Sequence, residues 1–269
     1  SLIMHPLRPE ENTAESILSL IRNDRSYTKA EAQLLDTLLA LHADHGGGNN
    51  STFATRVLTS SGTDTYSAIA AGIGSLKGPK HGGANIKVAE MVEYIKQGVE
   101  DITDADQVAD FLKKILKKED GSGLIYGMGH AVYTLSDPRA VILKSHARKF
   151  SENTEFEDEF KLLELIETLT PQILAELRGD KKVMCANVDL YSGLVYKLLG
   201  IPEDLFTPLF TVARVAGWSP HRMEELMTGG RIIRPAYKSV CAQRNYVKLD
   251  ERLDNYPGEL RYIPSDEHA

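Results

Sequence analysis

Between Thr28 and Leu41, apolar side chains fall at Leu34, Leu35, Leu38 and Leu41, the three-and-four spacing that lays one face of an α-helix against a core. The same spacing returns along nearly the whole chain, while Val and Ile seldom alternate with polar residues as a half-buried strand requires. The pattern predicts an all-α fold. Asn12 with Glu15, and Thr28 with Glu31, have capping-box spacing ahead of apolar series and mark two helix starts. Further helices are expected over 52–60, 64–76, 84–98, 105–117, 138–151, 155–178, 190–199, 204–216 and 220–228. The sequence contains no internal repeat.

A chain of 269 residues that is 42% hydrophobic can bury a large core in one or two domains. Its longest apolar runs, such as "AIAAGIG", fall far short of the roughly 20 residues that cross a bilayer, and no basic-then-apolar leader opens the N-terminus. These features read as a soluble protein with no membrane partner. The two cysteines, Cys185 and Cys241, form neither a CxxC pair nor a disulfide framework, so the expected setting is a reducing cytoplasm with both thiols in the core. A net charge of -7 argues against nucleic acid as a partner. Any anionic ligand must be met by a few specific residues.

Glycine-rich breaks separate the helices: "HADHGGGNN", "GPKHGGAN", "EDGSGLIYGMGHAVY" and "MTGGRIIRP". Three of the four carry histidine, and glycine allows tight turns and close backbone approach to a ligand. His5, His146, His221 and His268 lack that setting and read as surface or structural. Each feature also has a plainer reading when taken singly. A lone loop histidine is more often structural than catalytic, arginines pair with surface acids, and Asp189 ahead of an apolar segment reads as a helix N-cap. His42 and His45 have the short spacing of a zinc pair, but no cysteine or third ligand stands nearby, and the expectation is no metal. "GMGHAV" offers part of a dinucleotide motif without the strand that should precede it.

Taken together, "LHADHGGGNNSTFATRV", "GSLKGPKHGGAN", "GMGHAVYTLSDPR", "NVDLYSG" and "TVARVAGW...RIIRP" resemble, in order and spacing, the C-terminal two-thirds of the citrate synthase family. The resemblance covers essentially the whole chain. It implies a two-domain, all-helical fold: residues 1–82 and 199–269 in a large domain, 83–198 in a small one, and the site in the cleft between them. It also implies further helices upstream of the abrupt start "SLIMHPLRPEEN". On that expectation, apolar surface on helices 14–22 and 29–43 is left uncovered and the 269-residue chain alone has little activity.

The activity implied is condensation of acetyl-CoA with oxaloacetate and water to give citrate and CoA. The alternatives are 2-methylcitrate synthesis from propionyl-CoA and, from another class, a non-catalytic helical dimerisation module. The family pattern places His81, His130 and Asp189 as the catalytic trio. His45, Arg139, Arg214 and Arg234 are expected to bind oxaloacetate, with Arg234 reaching into the neighbouring subunit of a homodimer. Tyr126, Gly127, Gly129 and Asn187 are expected to contact CoA, which is a substrate, so no cofactor is expected. The chemistry agrees: removing a proton from a weakly acidic methyl group needs a positioned base and a donor for the enolate oxygen. Partial desolvation should raise the pKa of Asp189, and a helix N-terminus should keep His81 neutral. Two positions depart from the family. Tyr133, Thr134 and Leu135 stand where many relatives have a basic residue, and Lys80 replaces the usual apolar residue of "GPLHG".

Overall fold

The computed structural model describes residues 5–119, 122–130, 133, 135–179, 184–236, 238, 246 and 248. Among them the regular structure is helical: α1 (Thr13–Ile21), α2 (Lys29–Ala43), α3 (Asn50–Ser60), α4 (Thr65–Leu76), α5 (Ala84–Gly98), α6 (Ala105–Leu116), α7 (Pro138–Ser151), α8 (Glu157–Arg178), α9 (Asp189–Leu198) and α10 (Phe206–Met227). The all-α expectation holds. Both capping boxes form: Asn12 and Thr28 accept from the amides of Glu15 and Glu31, whose carboxylates accept in return from the cap amides. The chain divides into a unit of Ser1–Ile233 and a second of Arg234–Ala269.

Two sets of helices make up the first unit. α10 packs along α2, α3 and α4, while α9 packs against α5, α7 and α8, and α6 lies on α8. One apolar core joins Leu35 and Leu38 of α2 to Ile95, Leu112, Ile166 and Leu194. A smaller cluster of Leu76, Phe210 and Trp218 pins α4 to α10. No helix of the described residues is long and apolar enough to cross a membrane.

Two expectations are corrected. Helices over 204–216 and 220–228 are one continuous element, α10, with Pro220 inside it. Proline normally ends a helix by removing an amide donor and crowding the carbonyl four residues back. Here Trp218 is buried on one side of it and Arg222 and Glu225 on the other, so tertiary packing carries the helix through. The expected apolar surface on α2 is also not found: Leu34, Leu35, Leu38 and Leu39 are buried, and on α1 Leu20 is exposed. Large apolar side chains lie open instead at Phe53, Tyr66 and Ile73 of α3 and α4, and at Val212, Met223, Leu226 and Met227 of α10.

Arg222 closes the α3–α4 turn by donating to Thr59 Oγ1, Thr65 Oγ1 and the Thr63 carbonyl. His221 lies 3.1 Å from Asp44, so it is structural. The Cys185 thiol is half-buried and points at the Tyr133 carbonyl. Cys241, His268 and Thr134 lie outside the described residues.

Candidate active site

Two loops that are far apart in sequence are stitched together ahead of α9. Gly129 N–H donates to the Cys185 carbonyl at 2.8 Å, Asn187 N–H to the Gly127 carbonyl at 2.9 Å, and Asn187 Nδ2 to the Gly129 carbonyl at 2.9 Å. Gly127 has φ +80°, and a Cβ there would strike the Leu190 backbone, so the position requires glycine. This stitching brings His130 of one loop and Asp189, the first residue of α9, into the wall of one cavity. The N-cap reading of Asp189 does not hold: Val188 is the cap residue, and the Asp189 amide is itself capped by Asn187 Oδ1 at 3.0 Å.

A cavity of about 260 Å³ is lined by His45 and Asn49 from the α2–α3 loop, Lys80 and His81 from the α4–α5 turn, Ala84 at the start of α5, Gly129 and His130, Arg139 of α7, Asn187, Val188 and Asp189, and Phe210 and Arg214 of α10. Eight of the residues expected from the sequence to be catalytic or ligand-binding meet here, together with Lys80. Tyr126 lies in a separate hollow with Lys87 and Tyr94, and Gly127 supports the loop from behind. Arg234 is an exposed residue at the start of the second unit.

Burial pushes the Asp189 carboxyl up to about 6, against partial opposition from Arg139 and Arg214. The histidines move the other way. Burial lowers His81, His130 and His45, the last to about 4, with the arginines reinforcing the effect and Asp137 opposing it at His130, so the neutral form of each predominates near pH 7. The Tyr133 amide donates to His130 Nδ1 at 2.9 Å, so the neutral ring keeps its proton on Nε2. Asp137 caps α7 and grips the Arg139 guanidinium at 2.9 and 3.1 Å, holding Arg139 Nη2 3.3 Å from His130 Nε2. His45 stands edge-on to His130 with ring centroids 5.0 Å apart.

Arg214 is fully buried. Its Nε donates to the His42 carbonyl at 2.6 Å and its Nη1 to Asn49 Oδ1 at 3.3 Å, while Nη2 has no partner among the described residues. Burial lowers its pKa only to about 10, so it stays charged. A buried cation with one unused edge at a cavity suits a carboxylate.

Asn49, Ser51 and Phe210 were not singled out in the sequence. His81 Nε2 lies 3.1 Å from Asn49 Oδ1 and 2.9 Å from Ser51 Oγ, and Ser51 Oγ also accepts from Trp218 Nε1 at 3.2 Å. Phe210 stacks over the Arg214 guanidinium and tilts against His42 at 4.3 Å. His42 and His45 thus face different neighbours, and the described residues hold no group of three or more metal-ligating side chains.

Residues 2–236 match the family model described as "Citrate synthase, C-terminal domain". The chain is 39% identical over 223 residues to a citrate synthase of Synechocystis, covering 82% of this chain and 52% of that protein. It is 38% identical over 247 residues to one of Acidithiobacillus ferridurans, covering 91% and 60%. Among solved structures, the Thermoplasma acidophilum citrate synthase in ternary complex with carboxymethyl coenzyme A and oxaloacetate superposes with a TM-score of 0.76 at 33% identity, over 91% of this chain and 61% of that one. The chain spans about half the length of the curated relatives it matches.

Proposed function

Because the chain belongs to the citrate synthase family, we propose that it condenses acetyl-CoA with oxaloacetate and water to give citrate and CoA. The observation that carries this reading is a single cavity in which a carboxylate with its pKa raised to about 6 faces neutral histidines and two arginines. Asp189 would take a proton from the acetyl methyl group. Its raised pKa makes it a stronger base than an ordinary aspartate while leaving it largely ionised near neutrality. His81 would donate to the thioester oxygen as enolate charge develops. For that it needs its proton on Nδ1, with the Ser51 hydroxyl turned toward Nε2 and away from Asn49 Oδ1, to which it donates at 2.9 Å.

The enolate carbon then attacks the ketone carbon of oxaloacetate, and His130 Nε2–H protonates the ketone oxygen. Arg139, Arg214 and His45 would hold the two carboxylates. Support for Arg214 comes from its unused Nη2, and for Arg139 from the bidentate grip of Asp137, which presets its fork. CoA would run along the loop of Tyr126, Gly127 and Gly129, with Asn187 beside the thioester.

We place residues 1–82 and 199–269 in a large domain and 83–198 in a small one, so that closure would exclude water from the enolate. The working form would be a cytoplasmic homodimer in which Arg234 completes the neighbouring site, and the reaction requires no metal or cofactor. The test is CoA release from acetyl-CoA and from propionyl-CoA, each with and without oxaloacetate. Faster oxaloacetate-dependent release from acetyl-CoA supports the reading, faster release from propionyl-CoA moves it to 2-methylcitrate, and no dependence on oxaloacetate overturns both.

A further inference from the structure

Lys80 precedes His81 in the α4–α5 turn, is exposed, and lines the catalytic cavity. It also lines an adjoining hollow of about 550 Å³ that shares Asn49 and His81 with that cavity. Among the described residues no carboxylate pairs with it. Four residues further on, α5 begins at Ala84, itself in the cavity wall, and its cap residue Gly83 offers no side chain to the first-turn amides. No acidic residue occupies that turn. The positive end of the helix therefore adds to the lysine charge on one side of the cavity.

Charge accounting over the proposed reaction gives this corner a task. Oxaloacetate brings two carboxylates, and the cavity wall has two arginines to meet them, Arg139 and Arg214. In the hydrolytic step, water oxygen bonds to the thioester carbon and the carbon–sulfur bond breaks. Sulfur leaves with the electron pair and takes up a proton, and the new carboxylic acid ionises. A third carboxylate thus appears on the carbon whose oxygen faced His81, where Lys80 is the remaining cation that this chain supplies to the wall, beside the Arg234 contributed by the neighbouring subunit of the proposed dimer.

We propose that Lys80, backed by the N-terminus of α5, binds the carboxylate created by hydrolysis and so distinguishes the tricarboxylate product from the dicarboxylate substrate. The inference rests on the citrate-forming reading above. It assigns Lys80 to product retention and to the hydrolytic half of the reaction, while leaving enolate formation to Asp189 and His81.

The experiment is calorimetric titration of citrate and of oxaloacetate into the wild-type protein, Lys80→Met and Lys80→Arg. Lys80→Met should weaken citrate by about fivefold or more, the loss of one partly exposed charge-assisted contact, and oxaloacetate by no more than about twofold. Lys80→Arg should restore most of the citrate affinity. Equal weakening of both ligands, or citrate binding unchanged in Lys80→Met, overturns the proposal. A wild-type protein that binds neither ligand overturns the functional reading and this inference with it, an outcome distinct from the other two.

Discussion

Ser51 Oγ lies 2.9 Å from both His81 Nε2 and Asn49 Oδ1, so the acceptor chosen by its one hydroxyl proton decides which imidazole nitrogen keeps its own. If the hydroxyl donates to Nε2, the ring proton sits on Nδ1 and His81 is a donor when neutral. Ser51→Ala frees Nε2 to carry the proton toward Asn49 Oδ1, 3.1 Å away, and leaves Nδ1 bare. The expected result is a fall in kcat of about 10- to 100-fold, with the KM for oxaloacetate changed by less than about threefold. Steady-state kinetics on Ser51→Ala and Ser51→Thr check it. Thr keeps the hydroxyl and should retain most of the activity, which a purely structural role for Ser51 would not require.

Gly217 is where α10 meets the end of α2: a Cβ on it would run into the Ala43 carbonyl. That contact sets the loop of His45 against the helix of Arg214. Gly217→Ala must push the two apart, costing about 2 kcal/mol as overpacking does. Chemical denaturation should show the loss, and calorimetry should show weaker oxaloacetate binding, because His45 and Arg214 then separate. Full stability in this variant would mean the helices yield without strain.

His42 is fully buried, tilted against Phe210, and its pKa is lowered to about 3 by burial first and by Arg214 second. It is accordingly a neutral packing residue beneath the cavity, whereas His45 faces it. Treatment with a chelator should leave turnover unchanged, and metal analysis should find less than one equivalent of zinc. Stoichiometric zinc that is lost together with activity would restore the paired-histidine reading.

The helices were legible in the sequence because their signals are local: capping boxes, a 3.6-residue apolar period and glycine breaks act within one or two turns. The cavity residues were legible only as a set of motifs, since nothing local in "NVDLYSG" says that Asn187 will hydrogen-bond across to Gly129. Asn49 and Ser51 stood inside a quoted motif and still went unassigned. Their roles depend on the α2–α3 loop folding against the α4–α5 turn, a contact between segments about 30 residues apart. Pro220 misled for the opposite reason. Its local signal says stop, and the burial of Trp218 and Arg222 outweighs it.

The raised pKa of Asp189 has a cost in stability whose sign can be worked out. A carboxyl whose folded pKa, about 6, exceeds its ordinary 3.8 binds its proton more tightly in the folded state. The folded protein therefore loses stability from this group as pH rises between those values, and the loss is complete above the folded pKa. Asp189→Asn removes it. The variant should be more stable than wild type by about 3 kcal/mol at pH 7, with the advantage shrinking toward pH 4, as measured by urea denaturation at both pH values. Equal stability at pH 7 would mean the carboxylate is better solvated than its burial implies.

The central claim is that Asp189 acts as the base in a cavity whose histidines are already neutral, and the dependence of kcat/KM for acetyl-CoA on pH tests it most directly. His45 is lowered to about 4 and His81 and His130 below the ordinary histidine value, while Asp189 is raised to about 6, so loss of the acidic limb in Asp189→Asn is the result that assigns it to Asp189. The account predicts a rate that climbs about tenfold per pH unit below a midpoint near 6 and levels off above it. In Asp189→Asn that limb should vanish and the plateau should fall by at least about 100-fold. A wild-type profile that stays flat from pH 5 to 7, or an Asp189→Asn variant close to wild type, would contradict it.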